Sequence, residues 1–308
     1  EGSRGFIEST GTGNQNITLS GGNMTLQGGT VGSRNFAGLF SDLGSQTITG
    51  VNFLLLYGGS DGGVATAGNR ATMHAGINQS ITANSVQLLG GDDGTENYAR
   101  ILLYGPGAAT QTITTNALTL QGGAAGGGLG TGNFALIQSD ASQNVNIGGG
   151  GNLSMVGGGG TLTDNAARLE TNGGAGTQSI VLTGGGSINM VGGSSTATTV
   201  GATHGSRANI NSGGAAQSIQ VLGGGSINLT GGTAGQRNFA NISAQTGTQT
   251  ISGAAAINLT GGAAGGVAGE GNGAYINSEV GNQSISAGAI SLAGGIGGIE
   301  NLAQIRQG

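Results

Sequence analysis

Acid–base, nucleophilic or metal chemistry needs carboxylates, imidazoles or thiolates held together, and this sequence spaces them apart. It has neither cysteine nor lysine, so disulfides, thiolate metal sites and a Gly-x4-Gly-Lys phosphate loop have no residues to form from. The two histidines, His74 and His204, lack partners at metal-ligand spacing and are expected on the surface. Asp42, Asp61, Asp140, Asp164, Glu170, Glu270 and Glu279 fall in different stretches, leaving no evident carboxylate pair for glycoside cleavage or other acid–base work. No enzyme and no cofactor is expected. The densest acidic group is Asp92, Asp93 and Glu96, with Arg100 nearby. Several hard oxygens there are a weak candidate for calcium. The Gly-Gly-x-Gly-x-Asp nonapeptide of calcium-binding rolls is absent, however, and a solvated turn is the favoured reading.

Amides recur on a schedule that the carboxylates lack. Glutamine followed two residues later by Ile or Val stands at Gln15, Gln46, Gln79, Gln111, Gln143, Gln178, Gln217, Gln249 and Gln283, at separations of 31, 33, 32, 32, 35, 39, 32 and 34 residues. Each is followed by aliphatic-x-(Leu/Met)-x-Gly-Gly and then by Asn-x-Ala-x-aliphatic, with Ser206 replacing the asparagine in the sixth copy. A period of roughly 20–50 residues marks a stacked architecture whose units bury their apolar faces only against their neighbours. Residues 1–308 therefore read as one repeat array.

Each copy shows period-two alternation three times, the pattern of a strand with one buried face. The position two after the glutamine is β-branched in every copy, from Ile17 to Ile285, and the second segment carries pairs such as Leu54/Leu56 and Ile188/Met190. The third centres on an alanine, from Ala37 to Ala303. All eight arginines lie at odd offsets from that alanine or its equivalent Gly5, so alanine is expected inward and arginine outward. The glycine pair turns a corner, for which glycine offers positive φ or close backbone approach. The fold expected is all-β: a parallel β-solenoid of about nine coils with three short strands per coil, roughly 43 Å long at ~4.8 Å per layer.

Stacking sets like residues above one another, so amide ladders are expected along the axis. The members are Gln46, Gln79, Gln111, Gln143, Gln178, Gln217 and Gln249, with Asn97, Asn133, Asn165, Asn238 and Asn272. An unpaired buried amide would cost about 1–3 kcal/mol, which makes the coils interdependent.

Composition narrows the partners. A net charge of -5 with eight arginines as the only strong bases gives no footprint for a phosphate backbone, so nucleic acid is not expected. The longest apolar run is Phe53 to Tyr57, too short for a membrane span. Absence of cysteine suits a secreted repeat protein. The chain opens at Glu1 without a signal-like segment, the expectation for a processed product or a portion of a precursor.

From the second Gly of each pair to the Asn position the gap is 6, 10, 6, 10, 7, 13, 6, 10 and 6 residues. Even coils thus carry long loops, such as residues 60–67 and 194–203, where a surface or glycan ligand could be recognised. The chain enters and leaves in copies of the third segment, without a polar or helical cap. Arg4, Phe6, Ile7, Leu302 and Ile305 are therefore expected end contacts between copies stacked head to tail.

Segments such as Gln217 to Gly232 followed by Asn238 to Ala240 resemble the repeats of large bacterial surface exoproteins related to filamentous haemagglutinin. That resemblance implies a secreted, rod-like adhesin or surface fibre, extracellular or at the cell surface. A second likeness, carried by Gly235, Asn238, Ala240 and Gln249, is to curli-type functional amyloid subunits, and it implies a biofilm-matrix fibre.

Overall fold

The computed structural model describes residues 2–60, 62, 68–105, 107–126, 132–160, 164–172, 174–196, 205–266 and 271–308. Among them there are 25 strands and no helix, and every strand pairing is parallel. The chain is a parallel β-solenoid of about nine turns. Third segments form a ten-stranded sheet from Arg4–Ser9 to Ala303–Gln307, each strand pairing with its equivalent one turn on. Register follows the alanines: Gly5 faces Ala37, Ala37 faces Ala71, and Ala274 faces Ala303.

First and second segments make up a fifteen-stranded sheet. In the first three turns they run on as single strands, Gln15–Gln27, Gln46–Tyr57 and Gln79–Leu89. From the fourth turn they part, as in Thr110–Thr115 and Ala117–Gln121. Later turns place glycines of positive φ at the break, for example Gly184 (79°) and Gly185 (91°), a conformation that ends a strand sharply.

Inward residues stack into one core that includes Ile48, Ile81, Ile113, Ile180, Met190 and Leu169, all fully buried or within 1 % of it. Burial of such a side chain stabilises by roughly 1.5–3 kcal/mol. Repetition along the axis makes the sum large without any bulky aromatic inside.

The corner glycines serve close approach rather than unusual φ. Among the pairs only Gly59 has positive φ. A Cβ on Gly91 would lie 2.2 Å from Asn97 Cβ, and one on Gly58 would lie 2.6 Å from the Asn97 backbone of the next turn. From the third turn on, the second glycine also closes the base of the loop, as in Gly91 N–H to Asn97 O (2.6 Å) and Gly232 N–H to Asn238 O (2.6 Å).

The true repeat is a pair of turns. In odd turns the residue before the asparagine is left-handed and charged: Arg34, Glu96, Asp164, Arg237 and Glu300, with φ from 56° to 67°. In even turns that place is Gly68, Gly132, Gly205 and Gly271. A Cβ there would stand 1.9, 1.9, 2.5 and 1.7 Å from the carbonyl oxygen of the left-handed residue in the next turn. Gly2 repeats the relation against Arg34 O at 2.1 Å, so the first third-segment strand is an even one. Arg34 and Arg237 thus lie ahead of their strands, and the odd-offset rule for arginine extends past strand geometry at those two positions.

Candidate functional site

Nine glutamines form one continuous column. Nε2 of each donates to Oε1 of the glutamine one turn earlier, through Gln46, Gln79, Gln111, Gln143, Gln178, Gln217, Gln249 and Gln283, at 2.7–2.9 Å. In most turns its second N–H reaches a carbonyl of a third-segment strand, as from Gln217 to Ser243 O (3.0 Å) and from Gln249 to Asn277 O (3.0 Å). The column joins the two sheets as well as successive turns. It is also polar, with every donor pointing toward the first turn. Gln15, first in line, donates only to the carbonyls of Ile7 and Phe40.

The asparagine column is wired differently from the expected amide-to-amide ladder. Backbone N–H of one position donates to Oδ1 of the next: Asn69 to Asn97 (2.7 Å), Asn97 to Asn133 (2.9 Å), Asn133 to Asn165 (2.8 Å), Asn238 to Asn272 (2.8 Å) and Asn272 to Asn301 (2.7 Å). The Nδ2 groups fasten loop carbonyls, such as Asn133 to Ala125 O (2.9 Å) and Asn165 to Gly159 O (2.7 Å). Among the described residues, only in the first turn does an asparagine of this column also donate amide to amide, from Asn35 Nδ2 to Asn69 Oδ1 (3.0 Å). In the sixth turn Ser206 donates its own N–H to Asn238 Oδ1 (2.7 Å), but its buried Oγ has no partner.

The acidic candidates are not brought together around a cation. Asp92 accepts from the Tyr57 hydroxyl (2.5 Å), Asp93 from Gly94 N–H (2.7 Å), and Glu96 pairs with Arg70 (3.2 Å). No metal-holding group of three or more acids or histidines occurs among the described residues. Burial first, and then the bond to Asp92, pushes the Tyr57 phenol above its ordinary range. His74 lies 2.5 Å from Asp42 and between the rings of Phe40 and Tyr104; His204 lies outside the described residues, as do most of residues 60–67 and 194–203.

A face that sequence reasoning under-read is the outside of the ten-stranded sheet. Arginine guanidiniums stand over aromatic rings there: Arg70 and Arg100 over Tyr98 (5.1 and 4.8 Å), Arg168 over Phe134 (4.7 Å) and Arg207 over Phe239 (5.9 Å). Burial, with Arg168 beside it, holds Arg207 below the ordinary range. The signal was the column just before each alanine, where Arg70, Tyr98, Phe134, Arg207 and Phe239 stand.

At the ends, Phe6, Ile7 and Leu302 are 52, 58 and 47 % exposed, and Ile305 is half-buried against the core. Arg4 stacks on Phe36 (5.5 Å) and shares a groove with Arg34, Arg70 and Gly68. Three arginines line it, and Glu96 pairs with Arg70. No protein family matches the sequence, and comparison with curated proteins and with solved structures returns no match. Fold and site define the class as a parallel β-solenoid repeat protein.

Proposed function

We propose that the chain is a non-catalytic structural subunit or segment of an extracellular bacterial fibre, continued along its axis by strand-edge stacking of copies. The observation that carries this reading is the two-turn phase. The last third-segment strand, Ala303–Gln307, belongs to an odd turn and the first, Arg4–Ser9, to an even one. A following copy therefore continues the alternation, with its Gly2 coming one turn after Glu300 as Gly132 comes one turn after Glu96 within the chain.

Charge supports the same contact. Asp164 acts on Arg207 of the next turn, and stacking would set Glu300 before Arg4 of the following copy in the equivalent relation. Arg4 otherwise shares its groove with Arg34 and Arg70. The glutamine column keeps its direction from copy to copy, with Gln15 of one copy two layers from Gln283 of the one before.

Stacking the ten-stranded sheets leaves the other sheet one layer short at each junction, because it has nine layers to ten. Letting Gln15–Gln27 sit directly on the last turn would close that gap. It would, however, set odd turn against odd turn, with Glu300 where Arg34 requires a glycine. Negative-stain imaging and fibre diffraction of the purified chain are the test. The expected result is filaments with an axial repeat of roughly 48 Å, ten layers at ~4.8 Å. Single rods at every concentration would overturn the reading.

One observation favours a second reading, a surface adhesin. The outward groove bordered by Arg168, Glu170, Arg207, Asn241 and Ser243 is polar and aromatic-edged, suited to a glycan. Asn241→Ala should then weaken binding on a glycan array while thermal stability stays within about 1 kcal/mol; an unchanged array profile would remove this reading.

A further inference from the structure

All 21 charged residues lie outside the strands of the fifteen-stranded sheet. That absence covers nine turns, in a molecule that carries charge on its other sheet, its corners and its loops. Exposed protein surface ordinarily carries interspersed charge for solubility, so a long charge-free face calls for a reason.

The outward side of the first segment is built as two files. One holds the residue after each glutamine, from Asn16 to Ser284; all nine members are Ser, Thr or Asn, and strand register stacks each on the next. The other starts with Thr18, Thr49, Thr82 and Thr114 and goes on through Asn146, Val181, Gln220, Ser252 and Ser286, with a register shift between the second and third turns; the Thr18 and Thr49 hydroxyls are within 3.2 Å of each other. Along the axis the members repeat at ~4.8 Å, and along the strand the two files stand roughly 6.6 Å apart, twice the parallel rise per residue. Threonine is stiff at χ1, so little entropy is lost when its hydroxyl is held.

The chemistry of these files excludes most ligands. A protein partner would be anchored by aromatic, Met or Arg side chains, and the two files contain none. Phosphate chains would need cations. What matches regularly spaced files of mostly short hydroxyl and amide side chains without charge is a partner that is itself a lattice of hydrogen-bonding oxygens. We propose that this face binds ice, its two files ordering water at spacings close to the oxygen repeats of an ice prism face.

The proposal does not depend on fibre assembly. The test is thermal hysteresis, the gap between melting and freezing of a single ice crystal, together with ice recrystallisation, in solutions of the intact chain. The wild type should show a measurable gap and faceted crystals. Thr82→Lys with Thr114→Lys, both on exposed positions, should abolish most of the gap at unchanged circular dichroism and melting temperature. Glu279→Lys, on an exposed turn after the other sheet, should keep it. Absence of both activities in the folded wild type would overturn the proposal. So would full activity in the double variant, or a double variant that loses lateral self-association while its ice activity stays unchanged.

Discussion

Gln217 donates to Gln178 Oε1 and Ser243 O and accepts from Gln249. Gln217→Leu therefore strands three buried groups, at about 1–3 kcal/mol for each that water cannot reach. Gln15→Leu strands Gln46 Nε2 and two carbonyls at an open end, and should cost less in isolated rods; equal and negligible losses in urea midpoint would contradict the column. Ser206 is the converse case. Ser206→Asn would place Oδ1 beside Asn165 N–H and should raise stability by about 0.5–1.5 kcal/mol, read as an increase in melting temperature. A third residue-scale effect is alkaline. Burial is the first cause that raises the Tyr57, Tyr98 and Tyr275 phenols above the ordinary 10.0. The unfolded chain then loses these protons first, so stability holds below pH 10 and falls as pH rises beyond it. Tyr98→Phe should flatten that fall in denaturation curves taken between pH 9 and 12.

Two glycines separate the effects of element geometry. Gly132 lies in an even turn, where a Cβ would stand 1.9 Å from Asp164 O; Gly5 has no atom within 4 Å and occupies the place of an inward alanine. Gly132→Ala should destabilise by several kcal/mol because backbone must move, whereas Gly5→Ala should be neutral or stabilise by about 0.4–1 kcal/mol. Calorimetry on the two variants checks both signs. The strands, their inward faces and the stacking of like residues were legible because period two and axial repetition both follow from backbone geometry. The alternation of loop lengths was legible too, but its cause was not. Arg34, Glu96 and Asp164 share no side-chain property that signals a left-handed backbone, and the need for glycine at Gly68 or Gly132 arises from a carbonyl one turn away. Nor could composition reveal that the asparagine before each inward alanine would pair with backbone while glutamine pairs with itself, since asparagines on the outer faces, such as Asn228 with Asn189 and Asn241 with Asn209, do pair amide to amide.

For the whole molecule, cooperativity along the axis is the property to test first. Ile180 is fully buried at mid-array, so Ile180→Asp would bring an unpaired charge into the core. It should split unfolding into two transitions, and a single unchanged transition would misplace the inward face. The fibre reading turns on the junction between copies. Stacked in phase, Gln304 of one copy faces Phe6 of the next, as Tyr275 faces Gln304 within the chain. The chain has no cysteine of its own, so Phe6→Cys with Gln304→Cys can report on that contact alone, at a strand spacing that suits a disulfide. Mild oxidation of the double variant should give a ladder of covalent multimers on a denaturing gel, lost on reduction and absent from either single variant beyond a dimer. Monomer alone, under conditions where other cysteine pairs one turn apart within the chain do cross-link, would contradict end-to-end assembly.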